Sequence, residues 1–116
     1  MSRILIVDDH PGFRRFARTL LESEGFDVVG EAEDGASALE AAVRLRPALV
    51  LLDVLLPGRD GFAVAEQLQA LDPAPAIVLT SSRSADEFGP RLHAAPVAGF
   101  VHKDDLSGAA LAAVMA

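Results

Sequence analysis

The hydrophobic positions of this chain change period several times, and each change marks an element. Residues 3–7 form a short β-branched apolar run that closes on Asp8-Asp9-His10-Pro11, which reads as a strand ending in two acids. Phe13, Phe16, Ala17, Leu20 and Leu21 then recur at helical spacing up to Gly25. Pro11 suits a first helical turn and Asp9 or His10 lies near the N-cap, so a helix is expected over residues 11–24. Residues 26–32 alternate like a less buried strand, and Asp34-Gly35 opens a second helix through Ala38, Leu39, Ala42 and Leu45, stopped at Pro47. Residues 48–52 are apolar without alternation, as in a parallel strand covered on both faces; Asp53 closes the run and Pro57-Gly58 ends regular structure.

The pattern then repeats. Phe62, Val64, Ala65, Leu68 and Leu71 place a third helix over residues 61–71, ended by Asp72-Pro73. Residues 76–79 are a second all-apolar strand, finishing in Thr80-Ser81-Ser82. A fourth helix is expected over residues 85–95, although Gly89-Pro90 falls inside it and Pro96 follows. Residues 97–101 form a fifth strand leading into Lys103-Asp104-Asp105, and a last helix over 106–115 turns Leu111 and Val114 inward. Five strands alternating with five helices give an α/β fold, a doubly wound five-stranded parallel sheet, and no composition shift divides residues 1–116 into more than one domain.

Composition narrows the function. With 51% hydrophobic residues in 116, the chain can bury a core without staples. It has no cysteine, which excludes a disulfide scaffold, a thiol nucleophile and thiolate metal sites. With no signal peptide and no apolar run of membrane-spanning length, a cytoplasmic setting is expected. The formal charge of -7 argues against direct binding to nucleic acid or to an anionic membrane, because both need clustered Lys and Arg.

In an open parallel sheet the carboxyl ends of the strands share one edge, which gathers Asp8, Asp9, Asp53, Thr80 and Lys103. Two bare carboxylates ~4 Å apart at an effective dielectric of ~20 repel by ~4 kcal/mol, so a cation belongs among them. Carboxylate, carbonyl and water oxygens suit Mg²⁺, whereas zinc would favour Cys or His, and the three histidines fall in unrelated segments. A carboxylate beside Mg²⁺ can attack phosphorus and form an acyl phosphate. Asp53 is best placed to do so, with the Lys103 ammonium and the Thr80 hydroxyl on other phosphoryl oxygens. Read singly, these residues have plainer roles: helix caps for Asp8 and Asp9, a turn acid for Asp53, a strand terminus for Thr80, a solvated loop for Lys103. Their shared edge favours the chemical reading. Asp60 is expected to cap the third helix, and His10 and His102 are read as loop residues without partners.

The whole chain resembles the response-regulator receiver domains of two-component signalling. The resemblance rests on Val7-Asp8-Asp9, on residues 53–61, on Thr80-Ser81 and on residues 99–103, each at a strand's end in the same order. It implies a flavodoxin-like strand order 2-1-3-4-5, Asp53 as phosphoacceptor, Asp9 as a direct Mg²⁺ ligand with Asp8 acting through water, and the Leu55 backbone carbonyl in the metal shell. It further implies a switch in which Thr80 moves toward the phosphoryl group and Phe100 fills the vacated space. A histidine kinase or phosphotransfer protein would be the phosphoryl donor, and the altered output face could join two copies in a homodimer. The form Lys103-Asp104, with residues 29–35, is similar to receivers that precede helix-turn-helix DNA-binding domains.

The chain departs from the family pattern at three places. Asp104 stands where many relatives have a proline after a cis bond, so a trans Lys103–Asp104 bond is expected. Pro96 and Gly89-Pro90 alter the output face. Two rivals remain in view. A haloacid-dehalogenase-type phosphatase would want an acid two residues after the nucleophile, where Leu55 stands. A receiver-shaped module that is never phosphorylated would be expected to lack one of Asp9, Asp53, Thr80 or Lys103.

Overall fold

The computed structural model describes residues 2–115. Strands β1 (Arg3–Val7), β2 (Asp27–Ala32), β3 (Leu49–Asp53), β6 (Ala76–Ser81) and β7 (Gly99–His102) form one parallel sheet in the order β2-β1-β3-β6-β7. A two-stranded antiparallel ribbon, β4 (Leu55–Leu56) with β5 (Arg59–Asp60), projects after β3. Apart from that ribbon the order is 2-1-3-4-5, as the resemblance implies.

Every residue of β3 is buried, because successive side chains enter opposite cores. Val50 and Leu52 join Leu5, Val7, Ile77 and Leu79 under helices α2 (Gly35–Leu45) and α3 (Gly61–Gln69). Leu49 and Leu51 join Ile4, Ile6, Val78 and Val101 under α1 (Pro11–Ser23) and α5 (Gly108–Met115). A strand with two covered faces must be apolar at every position, which is why β1, β3 and β6 lack alternation.

The helices are held by their apolar faces more than by surface charge. Fully burying Leu21 is worth about 1.5–3 kcal/mol, whereas the half-exposed Arg18–Glu22 pair at 3.4 Å on the same helix contributes about 1 kcal/mol at most. Helix α2 opens with a reciprocal cap, Asp34 accepting from the Ser37 N–H at 2.8 Å while the Ser37 hydroxyl receives the Asp34 N–H. It ends on Arg46, in the left-handed conformation at φ 48°, whose carbonyl accepts from Arg3 at 2.9 Å. Asp60 caps α3 by accepting from Ala63 N–H at 2.8 Å, as expected.

Four expectations are corrected. Phe16, placed with the inner face of α1, is 54% exposed, so its ring lies off the apolar seam set by Ala17 and Leu21. The fourth helix is broken: a 3₁₀ turn (Ala85–Phe88) and a short α4 (Pro90–Ala94) are separated by Gly89 at φ 57°, ψ −139°, a conformation only glycine adopts readily. The fifth strand starts at Gly99 rather than residue 97. The last helix begins at Gly108, because residues 103–105 form a 3₁₀ turn and Leu106 is extended. Glu24, one residue past α1, accepts from Gly108 N–H at 2.6 Å and so caps α5 from across the fold. Among the described residues the cis peptide is Asp72–Pro73, and Lys103–Asp104 is trans as expected.

Candidate functional site

The parallel register delivers the site. β3 pairs Asp53 with Thr80 on β6, and Thr80 pairs in turn with Val101 on β7, two residues before Lys103. β1 runs beside β3, so Asp8 and Asp9 emerge next to Asp53 at the same edge. Gly61 allows the chain to fold back over this edge. Its N–H donates to Val54 O at 2.6 Å, and a Cβ there would collide with the Asp53 carbonyl and lie 2.7 Å from Val54 Cα.

The side chains converge as their residue types suggested. Asp8 is fully buried, Asp53 3% exposed and Thr80 1% exposed. The Lys103 ammonium lies 2.6 Å from Asp8 Oδ2 and 3.3 Å from Asp53 Oδ2, and 4.5 Å from the centre of the Phe13 ring. The other Asp53 oxygen, Oδ1, accepts from the Leu55 N–H at 3.1 Å. The Leu55 side chain itself is 45% exposed.

The electrostatics record a deficit of positive charge. Burial pushes the Asp53 carboxyl up to about 6; the Leu55 N–H opposes the rise, Asp8 adds to it, and Lys103 opposes it without cancelling it. Burial acts to lower Lys103, but the Asp8 and Asp53 carboxylates outweigh it and hold the ammonium above its ordinary value. The two shifts agree: one ammonium is shared by two buried carboxylates, with Asp9 close by.

One ligand atom from each of Asp8, Asp9, His10 and Asp53 lies within 4.8 Å of the others. Asp8 Oδ2 and Asp9 Oδ1 are buried without a hydrogen bond among the described residues. Their polar neighbours are the Lys103 ammonium, an ion-pair contact at Asp8, and His10 Nδ1, 3.1 Å from Asp9 Oδ1. Three carboxylates with one ammonium among them, bringing ligand atoms within 4.8 Å of one another, fit a hard divalent cation.

The neighbours of this cluster were less legible than the cluster. His10, read as a loop residue without a partner, donates its backbone N–H to Asp8 Oδ1 at 2.8 Å and brings Nδ1 within 3.1 Å of the same oxygen. A histidine therefore does stand among the acids, and its place directly after Asp8-Asp9 was the available signal. Arg14 donates to the Asp8 carbonyl at 2.6 Å and to Glu31 at 3.1 Å, tying α1 and β2 to the acid loop. His102 also has partners, the Ser82 carbonyl at 2.9 Å from Nε2 and the Asp104 N–H at 3.1 Å from Nδ1.

Phe100 lies on β7, half-buried against the core. Its ring is 5.9 Å from Phe88, which stands 5.9 Å from Phe62. Arg91 covers the Phe62 ring at 4.4 Å and pairs with Asp60 at 2.7 Å. A row of three aromatics thus runs from the last strand to the start of α3.

No helix among the described residues is long and apolar enough to cross a membrane. Residues 4–114 match the family model of the response regulator receiver domain. The Bordetella pertussis virulence-factor transcription regulator BvgA is 36% identical over 104 residues, covering 90% of this chain and 50% of that protein. The DNA-binding response regulator MtrA of Mycolicibacterium smegmatis is 46% identical over 82 residues, 69% of this chain and 35% of that protein. The chain thus spans about half the length, or less, of these curated relatives. Among solved structures, the signal receiver domain of NarL from Mycobacterium tuberculosis superposes with a TM-score of 0.84 at 34% identity, covering 97% of this chain and 95% of that one. With the match spanning nearly every described residue and the acids, hydroxyl and amine at the expected strand ends, the chain belongs to the response regulator receiver domains of two-component signal transduction.

Proposed function

We propose that Asp53 is the phosphoacceptor of this signalling switch, with residues 1–116 acting as one receiver domain. The observation that carries the reading is the Asp53 carboxylate itself, buried at the sheet edge, with the Leu55 N–H on one oxygen and the Lys103 ammonium on the other. In phosphotransfer an Asp53 oxygen attacks phosphorus, the P–O bond forms as the P–N bond of a phosphohistidine breaks, and the imidazole leaves with the electron pair. Lys103 pairs with a phosphoryl oxygen and the Thr80 hydroxyl donates to another. Hydrolysis by water releases phosphate slowly and restores the carboxylate. A histidine kinase or phosphotransfer protein is the natural donor, and a small acyl phosphate serves by the same step.

The residues fit Mg²⁺, with Asp9, Asp53 and the Leu55 carbonyl as protein ligands and Asp8 assisting. When bound, the ion would offset the carboxylate charge and screen an incoming phosphoryl dianion. The readout runs through Thr80 and Phe100: a hydroxyl drawn toward the phosphoryl group frees space beside β7, and Phe100 leaves its contact with Phe88 to fill it. Phosphorylation shifts this equilibrium only by its differential interaction with the two arrangements, tenfold for every ~1.4 kcal/mol. The altered face, bearing α4, β7 and α5, is where a second copy would dock. The regulators the chain resembles support placing this receiver in cytoplasmic transcriptional regulation, with DNA contacted by something other than this acidic domain.

Mass spectrometry after incubation with acetyl phosphate and Mg²⁺ tests the assignment. One added phosphoryl group on the wild type, absent from Asp53→Asn, is the expected result. Modification of both proteins alike would move the acceptor elsewhere, and modification of neither would favour a receiver-shaped module that works unphosphorylated.

A further inference from the structure

Of the four residues that converge at the acid edge, His10 is the one for which phosphotransfer has no use. Its Nδ1 lies 3.1 Å from Asp8 Oδ1 and 3.1 Å from Asp9 Oδ1. Two ligands at right angles on an ion with ~2.1 Å bonds would be ~3.0 Å apart, so Nδ1, which makes a polar contact with each carboxylate, stands from Asp9 Oδ1 at the spacing of a neighbouring ligand in one shell. The His10 side chain is 69% exposed, and its ring rests against the acids through the Nδ1 contact with Asp8 Oδ1. An imidazole nitrogen added to a carboxylate set changes which ion the set prefers: oxygen ligands alone suit Mg²⁺, whereas nitrogen favours the later first-row divalent ions.

We infer that His10 is a metal ligand that tunes the site toward borderline divalent transition ions such as Co²⁺ and Zn²⁺, above the preference for Mg²⁺ that the acids alone would give. The inference rests on the reading of the acid cluster as a cation site. Nδ1 binds the ion through its lone pair in place of the contact it makes with the two carboxylates in the metal-free chain.

The test compares chelator-treated wild type with His10→Gln and His10→Ala, titrating Co²⁺ by its visible absorption and Mg²⁺ by calorimetry. Loss of the ligand is expected to weaken Co²⁺ binding by about tenfold or more and to change Mg²⁺ binding by less than about twofold. The wild-type Co²⁺ complex should also show a hyperfine-shifted, exchangeable imidazole N–H proton that both variants lack. If both ions bind but the variants alter their affinities by the same factor, or not at all, and no shifted imidazole proton appears, His10 is no ligand and the cation site stands without it. If the wild type binds neither ion, the cation-site reading fails and this inference with it.

Discussion

Lys103 leans on Asp8 more closely than on Asp53: its ammonium is 2.6 Å from the first carboxylate and 3.3 Å from the second. The residue proposed to take up the phosphoryl group is therefore the less neutralised of the two buried acids. Burial is the main cause of its raised pKa, and the neighbouring Asp8 charge adds to it. In this geometry Lys103 holds the edge together and leaves Asp53 with lone pairs to spend on chemistry.

Replacing Lys103 by Met should leave two buried carboxylates without their shared partner. Breaking a buried pair costs about 3–5 kcal/mol, and here the loss is lessened by protonation of Asp53, so a decrease in unfolding free energy of about 2–3 kcal/mol is expected. Urea denaturation of both proteins with chelator at pH 7.5 measures it. Addition of Mg²⁺ should recover part of the loss, since a cation at the acids does what the ammonium did.

The pH dependence has a definite sign. The folded Asp53 holds its proton up to about 6, whereas an aspartate in the unfolded chain titrates at about 3.8, so between those values the native state binds more protons than the unfolded chain. The stability this group contributes is complete below the unfolded pKa and is lost as pH rises through about 6. Asp53→Asn should therefore be more stable than wild type at pH 7.5 without metal, by on the order of 2 kcal/mol, and the difference should shrink toward zero near pH 4. Paired urea titrations across that window check it.

The strand ends were legible in the sequence for a physical reason. Residues 4–7 of β1, 49–52 of β3 and 77–79 of β6 are buried on both faces, which forces an apolar residue at each of these positions, and the polar residue that follows each run is thereby marked. Parallel connectivity then puts Asp8, Asp53 and Thr80 on one edge whatever the loops do. The partner of a side chain was not legible where it depended on tertiary placement. Glu24 meets Gly108 across 84 residues, and Arg91, on the short α4 after the break at Gly89, meets Asp60 across 31. The ribbon of β4 and β5 was hidden for another reason: Gly58 at φ 71° turns Leu55-Leu56 back on Arg59-Asp60 within six residues, too few to show a period.

Glu24→Ala should remove one of two side-chain caps on α5, leaving the Ser107 hydroxyl on the Ala110 N–H at 2.9 Å. A lost helix cap costs about 1 kcal/mol, and the cost should fall on the last helix, since the Glu24 carboxylate accepts the Gly108 N–H at 2.6 Å. Hydrogen exchange at the amides of residues 108–111 should speed up more than exchange in β3. Equal acceleration everywhere would mean that Glu24 acts only on global stability.

Gly61→Ala tests how tightly the acid edge is built. The new Cβ would strike backbone, the Asp53 carbonyl and Val54 Cα, and backbone cannot swing aside as a flexible side chain can. A loss of about 1–3 kcal/mol is expected on urea denaturation, with slower phosphorylation by acetyl phosphate even at temperatures where the variant is fully folded. Wild-type stability would show that the loop between β3 and α3 yields freely.

Phosphoryl uptake by the buried Asp53 carboxylate is the step on which the proposed switch depends. Its most direct measurement is peptide-level mass spectrometry of the chain after acetyl phosphate and Mg²⁺, with borohydride reduction to mark the acyl phosphate. A single modified residue, Asp53, is expected, with no modification in Asp53→Asn or when Mg²⁺ is chelated. A phosphoryl group found on another residue, or none on a chain shown to bind Mg²⁺, would contradict it.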